Sequence, residues 1–241
     1  MATYVLSDIH GQYDKFIELL GIIGLRDEDT LYILGDIIDR GPHPMKTMLK
    51  IMEMPNAFCI VGNHEVMALT CLKHMMREIT DDSLRDLDEY MIQNLMTWAH
   101  NGSTPTISEF GALDREQQEA VMEFMQDMPL YETVTAGGKK YLLVHAGLGN
   151  FMPGRKLYSY TLNELVWTRP DYSIDYFPDV ITVTGHTPTR YIDGNPDPDR
   201  IYRKNNHIAI DCGASIPGGR LAALCLDTGE EFYTSENVPQ E

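Results

Sequence analysis

Basic side chains are scarce in this chain. Its 241 residues carry 19 lysines and arginines against 36 acids, a formal net charge of −17. Such a surface repels a phosphodiester backbone or an anionic bilayer, so nucleic acid and membrane are not expected partners. Bound divalent metals would offset part of the charge. Cysteine is also sparse: Cys59, Cys71, Cys212 and Cys225 show no CxxC spacing, and a disulfide framework has no place in a chain long enough to bury its own core. Reduced thiols are expected. No apolar run approaches the roughly 18 residues of a membrane-spanning helix, and Met1-Ala2-Thr3 leads straight into a strand-like segment without the basic and apolar stretches of a signal peptide. A soluble, cytoplasmic protein follows as the expectation. There is neither a solenoid-length repeat nor a low-complexity tract. With 43% apolar and 23% charged residues, the composition makes no case for disorder. The length suits one α/β domain over residues 1–241.

What is present is a repeated pattern. Tyr4 to Ser7 is β-rich and ends at Asp8-Ile9-His10-Gly11; Tyr13 to Ile23 then carries Phe16, Leu19, Leu20 and Ile23 at helical spacing. Thr30 to Leu34 is a second strand, ending at Gly35-Asp36-Ile37-Ile38-Asp39-Arg40-Gly41 and followed by a helical face over 45–52. Ala57 to Val61 is a third, ending at Gly62-Asn63-His64-Glu65 before a helix over 66–77. Strands alternating with helices predict parallel pairing, which places all three polar loops on one edge of a sheet. The middle differs. Residues 83–100 and 114–128 read as helices around the breaker run 101–105, a helical insertion of about 83–128. Its methionines, at helical spacing, read as core filling. Tyr141 to Val144 and Val180 to Val183 return to β and end at His145-Ala146-Gly147 and Gly185-His186. Residues 149–178 look loop-like, and strands over 207–210, 221–225 and 231–234 lack helical separators, which favours antiparallel hairpins.

The strand ends therefore supply Asp8, His10, Asp36, Asn63, His145 and His186. One metal cannot use all six and keep open positions, whereas two can. Asp36 would bridge them, with Asp8 and His10 on one ion and Asn63, His145 and His186 on the other. Mixed oxygen and imidazole ligands favour manganese, iron or zinc over magnesium or calcium; manganese is taken as the first candidate.

In order and spacing, these motifs resemble the phosphoprotein phosphatase family of calcineurin-like metallophosphoesterases, bacterial and phage branches included. The resemblance implies a four-layer β-sandwich flanked by helices, a two-metal centre and hydrolysis of phosphoric monoesters by a metal-activated water. It assigns His64 as the general acid, Asp39 as the group that orients it, and Arg40 and Arg169 as phosphate ligands, with Asn63 also facing substrate. A histidine held by a carboxylate suits proton donation, and paired guanidiniums suit bidentate phosphate contacts. The chain departs from the family at Ser7, where Gly is usual, and at Ala146, where eukaryotic members have Gly. Ala146 also occurs in relatives resembling diadenosine tetraphosphate hydrolases. Two substrate classes follow: phosphoserine or phosphothreonine proteins as the main reading, dinucleoside polyphosphates or other phosphorylated small molecules as the alternative. A non-enzymatic metal-binding scaffold would show loss of a ligand or of His64, and none is lost. His43, His74, His100 and His207 read as packed or solvated, and Asp211-Cys212-Gly213 as structural. For Arg169, phosphate binding is preferred over a structural ion pair or stacking on Trp167.

Overall fold

The computed structural model describes residues 1–76 and 89–236. The parts of the expected helices at residues 77 and 83–88 lie outside the described residues. Three strands, β1 (Thr3–Leu6), β2 (Thr30–Ile33) and β3 (Ala57–Cys59), alternate with α1 (Tyr13–Ile23), α2 (Pro44–Met52) and α3 (Asn63–Met75). The pairing of β1 with β2 and of β2 with β3 is parallel. The insertion forms α4 (Glu89–His100), α5 (Thr104–Ala112) and α6 (Arg115–Gln126). The middle helix was not expected, because Pro105 reads as a breaker; it sits in the first turn, where the missing N–H removes no helical bond.

The second half supplies β4 (Tyr131–Ala136), β5 (Lys139–Val144), a short α7 (Leu162–Val166), β6 (Ile181–Thr184), β7 (Tyr202–Lys204), β8 (His207–Ala209), β9 (Ala222–Cys225) and β10 (Glu231–Tyr233). Two five-stranded mixed sheets result, in the orders β10-β9-β1-β2-β3 and β4-β5-β6-β8-β7. The expected antiparallel hairpin exists for β9 and β10. Between β8 and β9 it fails: β8 lies in the other sheet, parallel to β6 and in an antiparallel hairpin with β7. Local pattern marks a strand but not the sheet it joins; the chain crosses between sheets after β8, so β9 pairs with β1 instead.

Period-two alternation puts each strand's two faces into different cores. Val5, Leu34 and Ile60 meet Leu143, Val183 and Ile208 between the sheets. Leu6, Leu31 and Ile33 face the other way, onto Phe16, Leu19, Met48 and Leu72 of the helices. The segment over 149–178 covers the outer face of the second sheet through Leu165, Tyr160 and Tyr176. The layers are therefore helices, sheet, sheet and a helix-bearing excursion. No helix among the described residues is long and apolar enough to cross a membrane.

Candidate metal centre

All five polar loops leave the carboxyl ends of parallel strands on one edge of the sandwich, the place where α/β sheets form ligand crevices. The backbone there is strained. Asp8, His10, Asp36, Asp39, Arg40 and His186 all have φ between 48° and 69°, a left-handed conformation costing a non-glycine residue roughly 1–2 kcal/mol. Such strain persists only where the surroundings over-determine it, and it marks functional sites. The first two loops are laced together by His10 N–H to Asp36 O at 2.9 Å and Gly11 N–H to Ile37 O at 2.8 Å. Gly35 has φ 74°, and a Cβ there would lie 2.5 Å from Gly62 N, so the second and third loops touch only because neither glycine has a side chain.

The clamp on this junction is Glu65, whose role in the motif was not legible. Its buried carboxylate accepts from Asp36 N and Ile37 N at 2.8 Å and from Gly62 N at 3.0 Å. One side chain thereby satisfies amides of two loops that would otherwise be buried unpaired.

Two clusters share Asp36: His10 and His64 on one side, His145 and His186 on the other. Asp36 Oδ2 lies 3.6 Å from His10 Nε2 and 3.8 Å from His64 Nε2, while Oδ1 lies 3.4 Å from His145 Nε2. Asn63 Oδ1 is 2.9 Å from both His145 Nε2 and His186 Nδ1. Asp8, nearly fully buried, accepts from His186 N at 3.0 Å and belongs to neither cluster. Asp8 lies at the same loop edge, held by the His186 amide, beside the cluster of His10, Asp36 and His64.

The donors fit a cation. His10 Nδ1 and His145 Nδ1 give their protons to the carbonyls of Ile38 and Leu34, at 3.0 and 2.6 Å, which turns their Nε2 lone pairs inward, the orientation an imidazole ligand requires. Burial raises the Asp8 pKa well above the usual range, and the carboxylates of Asp211 and Asp36 raise it further. Burial likewise lifts Asp211 to about 7. At Asp36 burial also works upward, but the neighbouring His145 and His64 outweigh it and hold the carboxyl far below its ordinary value. Burial keeps His10 and His186 neutral, His186 down to about 3. Clustered buried acids with inward imidazole lone pairs form an environment that a positive charge stabilises.

His64 differs from the other rings. Its Nδ1 lies 2.6 Å from Asp39 Oδ2, leaving Nε2 to face the site. Burial alone would lower its pKa, but the charges of Asp36 and Asp39 raise it. Asp39 is itself held from the insertion: Trp98 Nε1 donates at 2.8 Å and Thr106 Oγ1 at 2.5 Å, both side chains being buried. Neither residue was identified from sequence, because they lie 59 and 67 positions from Asp39; a Trp and a Thr on insertion helices carry no motif. Hydrogen bonds to a charged group contribute about 1.5–3 kcal/mol. Trp98→Phe is therefore expected to lower kcat on the order of tenfold for an alkyl phosphate and much less for p-nitrophenyl phosphate, whose leaving group needs no proton. An equal loss on both substrates would mean that Trp98 serves only packing.

Arg40 donates to His10 Nε2 at 2.8 Å and to His64 Nε2 at 3.0 Å. Its backbone is fixed by Gly102 O at 2.9 Å. Arg40, Arg169, Asp36, Asn63 and His186 line one cleft of about 360 Å³. Arg169 is exposed and forms no ion pair among the described residues, so the ion-pair reading has no partner there. Trp167 instead meets His186 edge-on, with centroids 6.0 Å apart. His43 pairs with Glu109 at 3.2 Å, and His207 is packed between Tyr172 and Tyr176.

The chain is similar to several known proteins. A relative from Halalkalibacterium halodurans, an asymmetrical bis(5'-nucleosyl)-tetraphosphatase PrpE, is 28% identical over 250 residues, covering 91% of this chain and 88% of the relative. A symmetrical bis(5'-nucleosyl)-tetraphosphatase from Acidovorax ebreus is 30% identical over 150 residues, and the match spans 44% of that protein. A solved structure described as a proposed diadenosine tetraphosphatase superposes with a TM-score of 0.64 at 17% identity, over 96% of this chain and 92% of the other. A yeast protein serine/threonine phosphatase superposes at 0.57 with 14% identity, over 100% of this chain and 81% of that one; at such identities the likeness is one of fold. The family model of the calcineurin-like phosphoesterases matches residues 1–213, and with that match the chain belongs to this family.

Proposed function

We propose that this protein is a two-metal phosphoesterase whose substrate is a dinucleoside polyphosphate such as diadenosine tetraphosphate, with residues 1–241 acting as one unit. The observation that carries this reading is the near full-length similarity to relatives named as bis(5'-nucleosyl)-tetraphosphatases. The phosphoprotein reading rests on the Asp-Arg-Gly and Asn-His-Glu motifs and Arg169, whose metal-holding, proton-donating and phosphate-gripping chemistry does not depend on what carries the phosphate; the relatives therefore favour the alternative over it.

Asp8, His10 and Asp36 would hold one ion and Asp36, Asn63, His145 and His186 the other, with manganese the first candidate. When bound, such ions stabilise charge on the transferring phosphoryl group and activate water. The remaining work falls to protein groups. Arg40 and Arg169 grip the phosphoryl oxygens, and Arg40 must leave the Nε2 atoms of both His10 and His64 to do so, which frees His64 Nε2 to carry a proton. His64 delivers a proton from Nε2 to the leaving oxygen, while Asp39, braced by Trp98 and Thr106, keeps the ring's Nδ1 proton and its aim.

The test is a comparison of kcat/KM for diadenosine tetraphosphate and a phosphoserine peptide on the manganese-loaded protein. A preference of at least tenfold for the dinucleotide is expected. Preference for the peptide would return the protein to the phosphoprotein phosphatases.

A further inference from the structure

Two exposed aromatic rings stand at the mouth of the cleft that holds Arg40 and Arg169. Trp167 is 38% exposed and Tyr191 is 58% exposed, and both line that cleft together with Pro188. Each is mounted on a braced element. Trp167 directly follows α7, whose Glu164 is paired with Arg155 at 2.8 Å and with Asn150 at 3.0 Å. The same helix is tied to the His145 loop by Ala146 N–H to Leu165 O and Gly149 N–H to Glu164 O, both at 3.0 Å. Tyr191 ends the single turn Thr189–Tyr191. That turn is anchored by Thr189 N–H to Asp211 O at 2.8 Å, and its Arg190 is engaged by Asp199 at 2.6 Å. The chain thus fixes the positions of two water-facing rings relative to the metal-binding loops. Within a chain of net charge −17, this cleft carries two arginines, and Asp36, at its base, is the lone acid among its lining residues.

We propose that Trp167 and Tyr191 form a nucleobase-stacking platform that makes this phosphate site selective for nucleotides; this rests on the dinucleoside polyphosphate reading above and assigns the residues that would enforce it. A planar base offers a π-face of the same kind to either ring, and stacking tolerates any base. The arginines hold the phosphate while a ring takes the base, so one nucleotide is recognised at both ends. A volume of about 360 Å³ lies in the range of small-molecule sites and suits one nucleotide unit rather than a peptide segment.

Calorimetric titration of the manganese-loaded protein with AMP and with ribose 5-phosphate, which differ only in the base, tests the platform without relying on turnover. AMP is expected to bind roughly ten- to a hundredfold more tightly, the worth of one stacked base. Tyr191→Ala and Trp167→Ala should each cut that ratio severalfold or more, and Trp167→Phe should keep most of it. Equal binding of the two ligands, or a preference that survives both alanine variants, overturns the platform. These outcomes are separate from the substrate comparison. Base selectivity that is lost in the variants, together with faster turnover of phosphopeptide, would sink the dinucleotide reading and leave the platform standing.

Discussion

His64→Asn is expected to lower kcat by about two to four orders of magnitude for a phosphoserine peptide or glycerol 2-phosphate, the range a general acid contributes. For p-nitrophenyl phosphate the loss should stay below about tenfold, since nitrophenolate departs without a proton. Diadenosine tetraphosphate should fall between them, because its leaving group is a phosphate with a second pKa of about 6. The ordering follows from the geometry. His64 Nδ1 is committed to Asp39 at 2.6 Å, so the one proton the ring can deliver is on Nε2. The backbone N–H of His64 bonds Asp36 Oδ1 at 3.1 Å, a contact asparagine retains, so the loop should survive the substitution. Steady-state kinetics on the three substrates, with metal content measured in parallel, checks it. Uniform loss across all three would show that His64 holds the site together instead of donating a proton.

Asp36→Asn should remove both ions at once. Its two oxygens face different imidazole sets, His10 and His64 from Oδ2 and His145 from Oδ1, and no other carboxylate belongs to both clusters among the described residues. Asparagine has nearly the same shape but no formal charge and one oxygen in place of two. Metal analysis of the purified variant should therefore show loss of both ions, and activity should drop on the order of a thousandfold or more, since such ions both activate water and stabilise the phosphoryl charge. Arg40→Ala provides the contrast: metal content is retained, while KM rises as a bidentate phosphate contact is lost. Retention of one full equivalent of metal by Asp36→Asn would show that Asp36 does not bridge.

The candidate ligands were legible because each sits in a short contiguous motif where a strand ends, and turn chemistry is local. Asp8, His10, Asp36, Asn63, His145 and His186 all arrive at one edge because β1, β2 and β3, and separately β5 and β6, run parallel. What local pattern lacked was long-range pairing. The strand at β8 was visible, but not its place beside β6. Glu65 was visible as part of a motif, but not as the acceptor for three loop amides.

From sequence alone came the chemistry: glycines that permit close loops, acids and imidazoles at their tips, and enough apolar alternation to bury two faces of each strand. Tertiary structure alone decided how that chemistry is aimed. Trp98 and Thr106 reach Asp39 from an insertion whose methionines read as core filling, and Trp167 and Tyr191 come to one cleft from chain segments before and after β6. Residue types are chosen one position at a time, whereas hydrogen bonds and stacking faces exist only between groups that folding has brought within a few ångströms.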